Sequence, residues 1–206
     1  HIPFCKTACN YCNFHFSTNK KNINQVIDAI CKEIEIRSEV WSKELIETIY
    51  FGGGTPSLLS YSQLNMIFKA IYENYNVSSC AEVTMELNPD DLSKGKLIQF
   101  ENSKINRLSI GIQSFFDEDL KWMNRAHNSE QSHSSIEIAK RYFDNISVDL
   151  LYGIPQMSDE RWLANLQIVF NLGLNHISCY ALTVESKTAL NYLIKKKKQP
   201  YLNRLE

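Results

Sequence analysis

Three cysteines stand within eight residues, Cys5-Lys6-Thr7-Ala8-Cys9-Asn10-Tyr11-Cys12, with three residues between the first pair and two between the second. Thiolates this close in one loop can converge on a single metal centre. Two chemistries fit the spacing. Three thiolates on a cubane of four irons leave one iron without a protein ligand, open to coordinate something else. A structural zinc site tolerates similar spacing, and His15 could supply its fourth ligand, which would make the chain a Cys3His interaction module with no catalysis. Spacing alone leaves both open. The other thiols do not join the triad: Cys31 and Cys179 lie in apolar stretches and Cys80 falls in an expected loop, so they read as buried or free thiols.

Other residues could do chemistry further along. Gly52-Gly53-Gly54-Thr55-Pro56 follows an apolar run; its glycines permit close backbone approach, and amide and carbonyl groups there can meet an ammonium or a carboxylate. Asp149 sits among Ile146, Val148 and Leu150, where an unpartnered charge is costly. Either Arg107 or Arg125 pairs with it for structural reasons, or a ligand does. His127 and His133 fall in a polar connection and His176 opens a strand. Lys195–Lys198 reads as a solvated helix end.

These residues need a scaffold. Apolar residues at helical spacing predict helices over 23–41, 64–75, 94–100, 119–123, 135–143, 162–172 and 188–196. Between them, short β-branched runs predict strands at 46–51, 82–87, 107–112, 146–152 and 177–184, and Ile2-Pro3 could be the stub of a sixth. Strands alternating with helices imply βαβ units and a parallel sheet. Side-chain alternation then separates an open doubly wound sheet from a barrel. Val83, Met85 and Leu87 oppose Thr84, Glu86 and Asn88; Leu108, Ile110 and Ile112 oppose Ser109, Gly111 and Gln113; Ile146, Val148 and Leu150 oppose Ser147 and Asp149. An open sheet covered by helices on both sides would be apolar on both faces. One polar face suits a lumen that holds a polar ligand, so the expected fold is α/β, an incomplete (β/α) barrel of about six parallel strands.

Composition narrows the function classes. The 206 residues allow one large domain, and 44% hydrophobic with 22% charged residues excludes a disordered or collagen-like chain. Lys plus Arg is 22 against Asp plus Glu 23, a formal charge of −1, which argues against nucleic acid as a partner. No run of about 18 apolar residues predicts a transmembrane segment. Six cysteines are too few for a disulfide scaffold, and clustered thiols fit ligands in a reducing cytoplasm. The chain opens at His1-Ile2-Pro3-Phe4 without a Met and closes at Tyr201–Glu206 without an obvious final element, so it reads as a fragment truncated at both ends.

The triad with Tyr11 before its last Cys, followed by Gly52–Pro56, resembles the radical S-adenosylmethionine (SAM) superfamily. His1-Ile2-Pro3-Phe4, Glu86-Leu87-Asn88-Pro89, Arg107–Phe115, Asn124-Arg125-Ala126-His127, Asp149–Pro155 and His176–Thr183 extend the likeness, in family order, to the oxygen-independent coproporphyrinogen III oxidase family. The resemblance implies a radical SAM core domain over 1–206, with the family's C-terminal region missing. It implies that Cys5, Cys9 and Cys12 hold a [4Fe–4S] cluster whose open iron chelates the amino and carboxylate groups of SAM. It further implies that Tyr11, Gly54, Thr55, Glu86, Gln113, Arg125 and Asp149 contact SAM and that Ala181 lies near the adenine. A carboxylate suits ribose hydroxyls and Arg suits a carboxylate fork.

Within the family, dehydrogenases that convert coproporphyrinogen propionates to vinyls by a radical decarboxylation carry a fourth Cys two positions after the third. Phe14 stands there instead. That departure, with Ser178–Glu185, resembles the family's heme-chaperone branch. The implied partners are heme or a porphyrinogen, a reducing electron donor and a recipient hemoprotein, with heme as cargo.

Overall fold

The β-branched runs pair into one parallel sheet in the computed structural model of the chain, which describes residues 1–41 and 43–198. Its strands are β1 (Leu45–Phe51), β2 (Asn76–Leu87), β3 (Arg107–Gln113), β4 (Ile146–Tyr152) and β5 (His176–Ala181). The helices are α1 (Ile23–Trp41), α2 (Tyr61–Asn74), α3 (Lys94–Glu101), α4 (Asp117–Trp122), α5 (Ser129–Ala139), α6 (Asp159–Asn171) and α7 (Ala189–Lys195). Spatial order equals chain order, β1-β2-β3-β4-β5, and every pairing is parallel. A doubly wound sheet needs a reversal of strand order. None occurs among the described residues, and the sheet is a half-barrel. The expected sixth strand is reduced to a single parallel bridge between Ile2 and Gly53, just beyond β1.

The two faces of the sheet separate as the alternation requires. Val83, Met85, Leu108, Ile110, Ile112, Val148 and Leu150 are at most 1% exposed and form the main core with Ile27 of α1, Leu64 and Phe68 of α2, Leu97 of α3, Ile136 of α5 and Val169 of α6. A second apolar cluster lies where the C-terminal ends of β4 and β5 meet α4 and α7: Leu120, Met123, Leu151, Ile154, Leu182 and Leu190. Among the described residues no helix is long and apolar enough to cross a membrane.

Several boundaries differ from the sequence expectation, each for a local reason. The fifth helix starts at Ser129 rather than 135, because Asn128 and Gln131 form a reciprocal capping box ahead of a polar first turn that carries no apolar stripe. Strand β2 starts at Asn76, so Cys80 lies in a strand and not in a loop, with its side chain exposed. The added residues pair with β1 across a register shift between Ile46 and Thr48. Cys179 is also exposed rather than buried, since β5 is an edge strand. His133, expected in a connection, lies in α5 with its ring 4.8 Å from that of Phe115. The segment Tyr201–Glu206 lies outside the described residues.

Candidate functional site

The Cys loop is bolted over the C-terminal rim of the sheet from four sides. Its entry is fixed by Cys5 N–H to Ser17 O (3.1 Å) and Thr55 N–H to Phe4 O (2.7 Å). Lys6 forms ion pairs with Asp90 (2.8 Å) and Asp91 in the 3-10 turn after β2. Asn124 Nδ2 donates to Ala8 O (2.8 Å), and Asn10 donates through its N–H to Met123 O (3.1 Å) and through Nδ2 to Trp122 O (2.8 Å). From α7, Leu190 N–H donates to Asn10 O (2.8 Å). Tyr11 packs on the second apolar cluster.

Beneath that loop opens a cavity of about 390 Å³, within the usual range for a small-molecule site. Cys5, Cys9, Cys12, Tyr11, Gly54, Thr55, Glu86, Gln113, Arg125, Asp149 and Ala181 all line it. Every residue singled out for the cluster or for SAM therefore borders one space. His15 is not part of the lining; it is exposed, and its carbonyl accepts from His1 Nε2 (2.9 Å). Among the described residues no three Cys, His, Asp or Glu side chains gather closely enough to hold a single ion. The three thiols all border the cavity.

Burial pushes the Cys5 and Cys12 thiols up, with the Thr55 hydroxyl opposing at Cys5 and the Phe14 backbone opposing at Cys12. Ligation requires the thiolates, so metal binding would displace those protons to solvent. Arg125 sets a cation at 3.5 Å from Cys9 Sγ through Nη1, while Nη2 donates to Asn88 Oδ1 (2.6 Å) and Gly111 O (2.7 Å). Its Nε is buried and has no partner among the described residues.

The glycine turn corrects one expectation. Gly53 N–H donates to Glu86 Oε2 (3.2 Å), Gly54 N–H to Ile2 O (2.9 Å) and Thr55 N–H to Phe4 O. Its amides are thus committed within the protein. What the turn can offer a ligand is the carbonyls of Gly53 and Gly54, acceptors suited to an ammonium rather than a carboxylate. A side chain at Gly54 would put its Cβ 2.6 Å from Phe4 O, so only glycine lets the Cys loop lie this close.

Glu86 on β2 and Asp149 on β4 both line the cavity. Asp149 makes no ion pair among the described residues: Arg107, 9% exposed, is spent on Thr84 Oγ1 (3.2 Å) and Ser147 Oγ (2.9 Å). Burial raises the Asp149 carboxyl, with the Ser178 hydroxyl opposing and the Glu86 charge adding to the rise. Sequence reasoning missed Tyr50, whose Oη donates to Glu86 Oε1 (2.9 Å) from the inner face of β1. Its signal was hidden because the register shift between Ile46 and Thr48 breaks the alternation that marks the other strands. The reasoning also missed Lys6 with Asp90 and Asp91, an interaction between distant segments that no local pattern announces. His127 lies in the connection between α4 and α5, as expected, but is buried there and donates from Nε2 to Ile112 O (3.0 Å).

Comparison with known proteins agrees with this architecture. A model of the Radical SAM superfamily matches residues 1–169. The chain is 38% identical over 190 residues to the heme chaperone HemW of Buchnera aphidicola (subsp. Acyrthosiphon pisum), covering 91% of this chain and 50% of that protein. It is 34% identical over 199 residues to the heme chaperone HemW of Bacillus subtilis, covering 95% of this chain and 52% of that protein. The chain thus spans about half the length of the curated relatives it matches. Its fold is similar to that of coproporphyrinogen III oxidase (HemN) from Escherichia coli, with a TM-score of 0.82 over 97% of this chain and 51% of that one, at 24% identity.

Proposed function

The chain belongs to the radical SAM superfamily, and from that premise we propose that it holds a [4Fe–4S] cluster on Cys5, Cys9 and Cys12, binds SAM beside it, and serves as the core of a heme chaperone in the reducing cytoplasm. The observation that carries the cofactor proposal is the single cavity bordered by all three thiols and by the polar faces of β2, β3 and β4. When bound, the cluster supplies one electron and an open iron, and SAM a sulfonium that can take that electron.

The chain's own groups have the roles their chemistry allows. The Gly53 and Gly54 carbonyls accept from the ammonium of SAM. Asp149, and Glu86 held by Tyr50, accept from its hydroxyls. Tyr11 covers the cluster against water, and Arg125 donates to the Cys9 sulfur. The chaperone half of the proposal is supported by the named relatives and by Phe14. This side chain borders the cavity, is 67% exposed, and offers neither a thiolate nor a proton.

Anaerobic reconstitution tests the first half. About four irons per chain are expected, lost on Ala substitution of Cys5, Cys9 or Cys12 and kept in Cys31→Ala. Stoichiometric zinc in anaerobically purified protein would overturn it. For the second half, the full-length gene product is expected to bind heme and to leave coproporphyrinogen III unconverted in an assay where a four-Cys relative turns over. Robust vinyl-product formation would assign it to the dehydrogenases instead.

A further inference from the structure

Gln113 ends β3 with φ of +66°, the left-handed region that non-glycine side chains rarely enter. The next amide, Ser114 N–H, donates back to Ile112 O at 2.8 Å. A bond from residue i+2 to i around a central residue at positive φ is the rarer and strained hand of γ-turn. Such a conformation persists only where its surroundings over-determine it.

The surroundings here do so. Ser114 and Asn165 are wholly buried and Asp119 is 3% exposed. From α6, Asn165 Oδ1 accepts Phe115 N–H (2.8 Å) and its Nδ2 reaches Ser114 Oγ (3.4 Å). Ser114 Oγ donates to Asp119 Oδ2 (2.6 Å) on α4 and accepts Phe116 N–H (3.2 Å). Arg161 Nη1 closes the set on Asp119 Oδ1 (3.2 Å). On the other side of the turn, His127 donates to the same Ile112 carbonyl as Ser114 N–H. The turn folds the Gln113 amide over Gly111: a Cβ at Gly111 would lie 3.0 Å from Gln113 Nε2 and 3.4 Å from Arg125 Nη2. A larger residue at 111 would displace both.

We infer that Asn165, acting with Ser114 and Asp119, is a positioning residue: it locks the strained turn that aims Gln113 into the cavity beside Arg125, and so sets SAM affinity from the far side of β3. This rests on the proposed cofactor for its ligand, but the lock itself is a property of the protein alone.

A double-mutant cycle separates the two. Glycine adopts positive φ without strain, so Gln113→Gly should raise the melting temperature of the metal-free protein by about 2 °C. In Asn165→Ala the lock is gone and the turn relaxes, so the same replacement should gain nothing. Should Asn165→Ala fail to fold, Ser114→Ala, which removes the hydroxyl bonds with less change of volume, takes its place in the cycle. Equal effects of Gln113→Gly in both backgrounds would overturn the lock. In reconstituted protein, Asn165→Ala should keep its iron yet bind SAM about 10-fold more weakly. Unchanged SAM affinity beside a coupled cycle would overturn the positioning role. A coupled cycle in a protein that binds no SAM at all would leave the lock standing and refute the cofactor proposal.

Discussion

His127 should make the protein acid-sensitive well above the range in which carboxylates titrate. It is 4% exposed, and the carbonyl of Ile112 can only accept, so Nε2 carries the proton and Nδ1 is left as a buried lone pair with no partner among the described residues. Protonating Nδ1 would bury an unpaired cation near Arg125. Burial first, then the Arg125 charge, lower its pKa from 6.5 to about 4. A base whose pKa is depressed by folding contributes stability that is complete above its unfolded value and is lost as pH falls toward the folded one. Across that whole window the loss is roughly 3 kcal/mol, and about 2 kcal/mol of it is gone by pH 5. At a urea slope near 2 kcal/mol per molar, the midpoint should fall by about 1 M between pH 7 and pH 5. Gln at this position can place its Nε2 where the imidazole Nε2 lies and does not titrate. Urea titrations of wild type and His127→Gln at both pH values read the difference. If the two proteins lose stability in parallel between pH 6.5 and 5, the reasoning about His127 is wrong.

Three further outcomes are expected. Asp149→Asn should stabilise the metal-free protein by about 1 kcal/mol at pH 7, because a carboxyl raised by burial costs stability once it ionises; the gain should fade toward pH 4, and SAM binding should weaken, as denaturation and titration calorimetry would show. Leu108→Ala, at a 0% exposed position between β2 and β4, should cost roughly 3 kcal/mol in chemical denaturation. Lys6→Met should quicken chelator stripping of iron roughly fivefold, equivalent to about 1 kcal/mol, with Lys6→Arg restoring wild-type retention.

The fold was legible where a physical rule spans few residues. Alternation along β2, β3 and β4 assigned Glu86, Gln113 and Asp149 to the lumen and Val83, Ile110 and Val148 to the helix-covered face, and from that contrast the half-barrel follows. Helix α1 was readable because Ile23, Val26, Ile27, Ile30 and Ile34 repeat at helical spacing on a face packed into the core, although Val40, expected on the same face, is exposed. Polar elements escaped. The start of α5 is specified by a capping box rather than by a stripe, and the bulged β1 loses the phase that would have placed Tyr50 inside. Long-range polar contacts escaped entirely. Asn165 reaches Phe115 across 50 residues and Lys6 reaches Asp90 across 84, and no periodicity encodes such a meeting.

The lumen carries costs that the outer face does not. Among the described residues Asp149 is half-buried with no ion pair, Arg125 keeps a buried Nε without an acceptor, and Gln113 occupies a conformation suited to glycine. Each is destabilising for the protein alone, and all three border the same cavity. The opposite strand faces hold fully buried aliphatic residues. Strain and unmet polarity gathered around one cavity are what a preorganised polar site looks like before its ligand arrives, since ligand hydroxyls can donate to the carboxylates and an acceptor can meet the guanidinium. A purely structural lumen would have been relieved by substitutions as small as Asp149→Asn and Gln113→Gly. Their expected stabilising effect on the metal-free protein, set against their expected loss of ligand, is therefore a joint signature that neither a folding role nor chance burial of charge would produce.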